Sequence, residues 1–127
     1  MKVTDLNQLE YLHDAFVDEI AFMNSCASKN LKIQLRCDDD CGYPDWAGKA
    51  LTVNFSNILR VSSVLLGHVD GQDIVGAFTK GVSEDMQQSI QKMSAIGISA
   101  PKIFLMLTLQ SGSEIEIACD EISISLD

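Results

Sequence analysis

The sequence predicts a β-rich α+β domain: a mostly antiparallel sheet or partly open barrel carrying one main helix over about residues 83–96. Three observations lead there. Several short segments alternate apolar and polar residues with the period of a half-buried strand. Only one segment combines a helical stripe with capping residues at both ends. Hydrophobic residues make up 46% of the chain and charged residues 21%, the balance of an ordinary globular domain. The 127 residues suffice for one core, and no repeat or linker divides them, so a single domain spanning 1–127 is expected.

The chain opens with a polar stretch and a helical turn through "LNQLEYLHD". "FVDEIAFMN" then reads as a first strand, with Phe16, Ile20 and Phe22 on one face and Val17, Glu19 and Met23 on the other. "LKIQLRC" alternates more cleanly. Leu31, Ile33, Leu35 and Cys37 face inward, opposite Lys32, Gln34 and Arg36, as in a strand wetted on one side. "ALTVNF" repeats the pattern with Leu51, Val53 and Phe55 inward, and "ILRVSSVLLG" continues as a less regular strand. His68 to Val82, punctuated by glycine, is expected to be an irregular connection or a short strand.

"SEDMQQSIQKMSAIG" carries the helix. Ser83 is the N-cap, Glu84 and Asp85 suit the positive end of the helix dipole, and Gly97 closes the C-terminus. Met86, Ile90 and Met93 form one apolar stripe for packing on the sheet. "KIFLMLTLQ" is apolar on both faces, as a central strand is. After a turn at "SGS", "EIEIACDEISISL" aligns Ile115, Ile117 and Cys119, then shifts parity to Ile122, Ile124 and Leu126. A bulge or turn at Asp120 and Glu121 reconciles the two rows.

The net charge is −9. Such a balance opposes nucleic acid and anionic membranes as partners and favours a basic protein. The start lacks the apolar h-region of a signal peptide, and no apolar run has the length of a bilayer span, so no membrane association and a cytoplasmic location are expected. In that compartment the four cysteines are expected to remain thiols.

Chemistry-bearing residues are sparse. Cys26, Cys37, Cys41 and Cys119 contain no C-x-x-C pair and have only His13 and His68 beside them, so neither a metal site nor a cofactor is expected. The aspartates of "RCDDDCGYPDW" lack EF-hand spacing. His13 and Asp14 suggest an acid–base dyad, but a histidine and aspartate at a strand entry more often satisfy backbone groups than catalyse. Phosphate loop, nucleophile elbow and dinucleotide fingerprint are all missing, and no catalytic residue is assigned.

"LHDAFVDEIAF", "LKIQLRC", "ALTVNFSNILRV" and "FLMLTLQSGSEIEIACDEISI", in that order, resemble a group of small bacterial proteins that includes the immunity-protein-like families of polymorphic toxin systems. Members begin with a Leu/Trp-His-Asp-Ala/Ser element and end in a strand hairpin closing on I-x-C. The resemblance implies a compact β-rich domain without catalysis that binds and neutralises a cognate toxin domain. The family's His-Asp falls on His13 and Asp14, and its terminal cysteine on Cys119. The long aspartate-rich loop and the irregular middle depart from the pattern.

Many toxin domains are nucleases with basic clefts, and carboxylates can stand where phosphates would lie. The candidate contact surface is therefore Asp38, Asp39, Asp40 and Asp45, with Tyr43 and Trp46 as anchors. The alternative for that stretch is a solvated loop with Trp46 tucked into the core. The acidic C-terminal strands, around Glu114, Glu116 and Glu121, are the second candidate surface. Two other functional classes stay open: a small ligand-binding or enzymatic β domain using His13, Asp14 and Cys41, and an interaction module unrelated to toxins.

Overall fold

A computed structural model describes residues 1–24, 29–64, 73–81 and 83–127. Leu6–Leu12 form a short 3-10 helix capped by Asp5, whose carboxylate accepts the Asn7 N–H at 2.9 Å. Its Leu9 and Leu12 turn into the core. The strands are β1 (Phe16–Asn24), β2 (Lys29–Arg36), β3 (Ala50–Ser56), β4 (Arg60–Val64), β5 (Asp73–Lys80), β6 (Ile103–Leu109), β7 (Glu114–Cys119) and β8 (Glu121–Leu126), with helix α1 (Glu84–Ala95) between β5 and β6.

All pairings are antiparallel, in the order β4-β7-β6-β5-β1-β2-β3-β8. Both ends of this order belong to one bent ribbon. β3 runs into β4 through Asn57–Leu59, and β7 runs into β8 through Asp120. The ladder continues across the bend through Leu59 N–H to Ala118 O (2.9 Å) and Asp120 N–H to Ser56 O (3.2 Å). Strands that pass from one sheet half to the other in this way make the corner of a folded-over sheet. At the opposite corner only Phe16↔Ile74 and Val17↔Asp73 join β1 to β5. Along the far side of β8 lies the chain start, with Val3 N–H to Ile122 O and Ile124 N–H to Met1 O, both 2.8 Å.

Inside the fold lie the rows expected from alternation. Leu31, Ile33, Leu35, Cys37, Leu51, Val53 and Phe55 are buried, as are Ile115, Ile117, Cys119, Ile122 and Ile124. The parity shift at Asp120 is the ribbon's bend. Leu126 departs from its row and is exposed at the strand end.

β1 corrects the alternation expected for it. Its pairing with β2 slips between Val17 and Glu19, so Val17 faces Leu35 while Ile20 faces Ile33. Both therefore share the inward face, and Phe16 turns outward beneath Arg36, whose guanidinium carbon is 5.3 Å from the ring centroid. A bulge is what allows two such faces in one strand.

The glycine-punctuated segment resolves in favour of a strand over Asp73–Lys80, while His68 lies outside the described residues, as does Cys26. A bulge between Val75 and Ala77 interrupts the β5 ladder. A Cβ at Gly76 would meet the Thr108 carbonyl oxygen at 3.0 Å, so the close backbone approach selects glycine there.

Helix α1 begins at Ser83, whose hydroxyl accepts the Met86 N–H, and ends as Ile98 N–H reaches back to Met93 O with Gly97 at φ +87°. This is the left-handed helix closure that glycine permits. Ser83 N–H donates to Glu116 Oε2 (2.9 Å), and the Arg60 guanidinium donates to Ser89 Oγ. Those contacts set α1 on the outer face of β4 and β7, where Met86 and Ala118 are buried apart from the main core.

Asp73 is buried at the start of β5. One carboxylate oxygen accepts the N–H groups of Ile74 (2.9 Å) and Ser111 (3.2 Å), and the other takes the Ser111 hydroxyl at 2.6 Å. It thereby clamps the turn between β6 and β7, where Gly112 has φ +94°. Asp73→Ala takes the acceptor from three donors, the N–H groups of Ile74 and Ser111 and the Ser111 hydroxyl, in a part-buried site, so a loss of about 2–3 kcal/mol is expected in urea unfolding. Asp14→Ala, though exposed, is expected to cost about 1 kcal/mol, because alanine is strained at the φ of +69° that aspartate tolerates.

Candidate functional site

Between β2 and β3 the chain makes a closed loop. Cys37 N–H bonds Lys49 O (2.9 Å) and Gly48 N–H bonds Asp38 O (3.0 Å), narrowing the neck. Inside it, Cys41 N–H reaches Asp38 O, Trp46 N–H reaches Tyr43 O, and Lys49 N–H reaches Trp46 O. Asp38 Oδ1 accepts the Asp40 N–H at 3.1 Å, the local turn that aspartate favours. Gly48 has φ +69°, and Asp39 lies so close above it that a Cβ would meet Oδ1 at 2.6 Å. A loop with bonded ends, packed by its own side chains, is of the Ω type.

This loop docks on the 3-10 helix. Cys41 Sγ donates to Tyr11 O at 3.3 Å. Tyr11, Tyr43 and Trp46 stack in series, with centroids 5.5 and 4.4 Å apart. Gly42 lies under Tyr11, where a Cβ would come within 3.3 Å of the ring. Aromatic contacts of this kind each add about 0.5–1.5 kcal/mol beyond burial, so the loop is held to the body from within.

Asp38, Asp39, Asp40 and Asp45 are exposed on it, and Tyr43 is half-buried. Among the described residues none of these four carboxylates enters an ion pair. Arg36, at the loop's base, is already held by Asp18, with Nε 2.8 Å from both carboxylate oxygens. The negative charge of the loop therefore faces solvent with little local compensation, apart from exposed Lys49 at its exit.

Trp46 requires a correction. Expected as an anchor for a partner, it is only 4% exposed and belongs to the core cluster. A long aromatic side chain beside a turn gains more from the protein's own interior than from the rim. Trp46 supports the surface from below.

The second acidic set does not form one surface. Glu116 is the acceptor beneath the α1 N-terminus, Glu121 pairs with Lys2 at 3.3 Å, and Glu114 is exposed where β7 begins. Glu116 is thereby committed to holding the helix.

His13 and Asp14 make an exposed pair, Nδ1 to Oδ2 3.1 Å, and Gln110 Nε2 donates to Asp14 Oδ1 at 3.3 Å. Asp14 takes φ +69° and its N–H bonds Val75 O, closing the passage from the 3-10 helix into β1. Among the described residues no hydrogen bond or ion pair joins either of them to Cys41, and no three His, Cys, Asp or Glu side chains converge as metal ligands.

Cys37 and Cys41 lie near each other. Burial pushes the Cys37 thiol up to about 12 from an ordinary 9.0, with Cys41 and Asp38 adding to the shift. Burial likewise pushes Cys119 up to about 11, against a hydrogen bond to the Glu121 backbone. Below 9 both thiols are neutral in folded and unfolded chains alike. Above it the unfolded chain loses protons that the native one keeps, so stability falls as pH rises from about 9 to about 12. Urea midpoints followed over that range are expected to decline less steeply in Cys37→Ala than in the unaltered protein.

Tyr11, Glu10 and Asp18 complete this region and escaped the sequence reading. Leu9 and Leu12, three apart in a 3-10 helix, fix which side is buried and leave Tyr11 on another. The chain matches no protein family, no curated protein and no solved structure. Among the described residues, no helix is long and apolar enough to cross a membrane.

Proposed function

We propose that this chain is a non-catalytic immunity protein, which neutralises a basic, nuclease-type toxin domain by occupying its phosphate-binding cleft. The observation that carries the reading is the β2–β3 loop: Asp38, Asp39, Asp40 and Asp45 lie exposed and outside any ion pair, on a loop fixed by its neck bonds and the Tyr11–Tyr43–Trp46 stack. Preorganised carboxylates pay little ordering entropy on binding and steer a basic partner toward them. Tyr11 and Tyr43 add amphipathic ring area beside the charges, a composition typical of strong contact points.

The test is to mix the purified protein with the toxin domain encoded beside it. A stoichiometric complex on size exclusion and loss of the toxin's activity are expected. If no complex forms and the toxin stays active, the immunity reading falls.

A further inference from the structure

The 3-10 helix and β5 enclose a groove that no part of the described chain fills. Asn7 and Glu10 line one wall, Phe78 and Lys80 the other, and Leu9 and Leu105 contribute its apolar floor. It follows β5 from Gly76 to Lys80, an extended run of roughly 15 Å.

The backbone along this groove is an open sheet edge. β6 covers one side of β5, while β1 pairs only with Asp73 and Ile74 on the other. Gly81 N–H bonds Phe104 O at 3.3 Å, on the β6 side. In an antiparallel ladder successive residues turn their N–H and C=O groups alternately to the two sides. Phe78 and Lys80 therefore aim theirs into the groove, in line with Val75, whose N–H reaches Ala15 O on that same side. Among the described residues no backbone group outside the ladder bonds to Phe78 or Lys80.

We propose that this groove is a docking site for an extended, basic segment of a partner protein, which adds to β5 as a further strand. The backbone groups of Phe78 and Lys80 supply main-chain hydrogen bonds, and the half-buried side chains of Leu6 and Phe78 give alternate apolar side chains a surface to cover. Glu10 and Lys80 offset each other across the groove, so it is the chain's net charge of −9 that favours a cationic segment, with Glu10 as the carboxylate to pair with it. A second copy is disfavoured, because β5-to-β5 pairing would bring two chains of that charge together. The proposal does not depend on the toxin reading, since it concerns another surface and any partner with such a segment.

The full protein would be titrated with a short capped peptide alternating valine and lysine, and with its valine–glutamate counterpart. The lysine peptide is expected to bind about tenfold more tightly or better, and to slow amide exchange at Phe78 and Lys80. Lys80→Pro removes an N–H that no ladder bond uses. It should weaken the lysine peptide even though it also deletes a repelling cation. Glu10→Lys, an exposed change on the other wall, should weaken the same peptide without reshaping β5. The proposal is overturned if the lysine peptide fails to bind, if it binds without protecting those two amides, or if neither variant matters. Self-association that protects the same amides would assign the edge to a second copy and also overturn it.

Discussion

Trp46→Ala is expected to lower stability by about 3–5 kcal/mol, with the β2–β3 loop losing its order in the molecules that remain folded. The ring is buried in the core cluster and stacks on Tyr43 at 4.4 Å. Its backbone also sits at the centre of the loop's turns, accepting from Lys49 and donating to Tyr43. Removing the ring therefore opens a void under the acidic surface and releases the stack that ties the loop to Tyr11. Tyr43→Ala, at a half-buried position, is expected to cost about 1–2 kcal/mol. Trp46→Phe keeps a ring in the site and should recover most of the loss. Denaturant unfolding of the three variants checks the order. If Trp46→Ala unfolded like the unaltered protein and lost partner binding alone, the ring would be a contact after all, and its burial a poor guide to its role.

The strands were legible because one-sided burial imposes a period of two, and nearly every buried residue of β2, β3, β7 and β8 follows it. The helix was legible because Ser83 and Gly97 perform local jobs that sequence states directly. What escaped the reading depends on contacts between distant segments. Nothing near Asp18 announces a bulge; it is selected by the need for Val17 and Ile20 to reach Leu35 and Ile33 across the pair. The glycines around β5 look like loop punctuation, yet Gly76 is there because Thr108 of β6 comes close. Asp73 reads as one more acidic residue of an acidic chain until Ser111, far along the sequence, brings it two donors.

The same division runs through the candidate site. That Cys37 faces inward followed from its strand row, and the aspartates at the tip were legible as charge. That the loop is fastened to the 3-10 helix through Tyr11 was not, because the Cys41–Tyr11 bond and the aromatic series join residues with no shared local pattern. The fastening changes the physical character of the aspartates: charges on a free loop lose entropy when they are ordered, whereas these are already held in place.

Replacing Asp38, Asp39 and Asp40 together by lysine should slow association with a basic toxin domain by about ten- to hundredfold at low salt, with a much smaller change in dissociation. The four loop carboxylates lie outside the described ion pairs, so the substitution reverses a field without breaking an ion pair. Association of the unaltered protein should fall steeply as added salt shortens the screening length, and the reversed variant should show a weaker dependence. Asp38 also accepts the Asp40 N–H, so Asp38→Asn, which keeps that acceptor, separates charge from loop shape: it should lose part of the association rate with unfolding unaltered. Reversing Glu114 and Glu121, which lie on other parts of the surface, should leave the rate nearly unchanged. Stopped-flow mixing over a salt series measures all of these. Equal rates for the loop variant and the unaltered protein, with slowing in the Glu114 and Glu121 variant, would transfer the interface to β7 and β8, because steering reports the surface that meets the partner first.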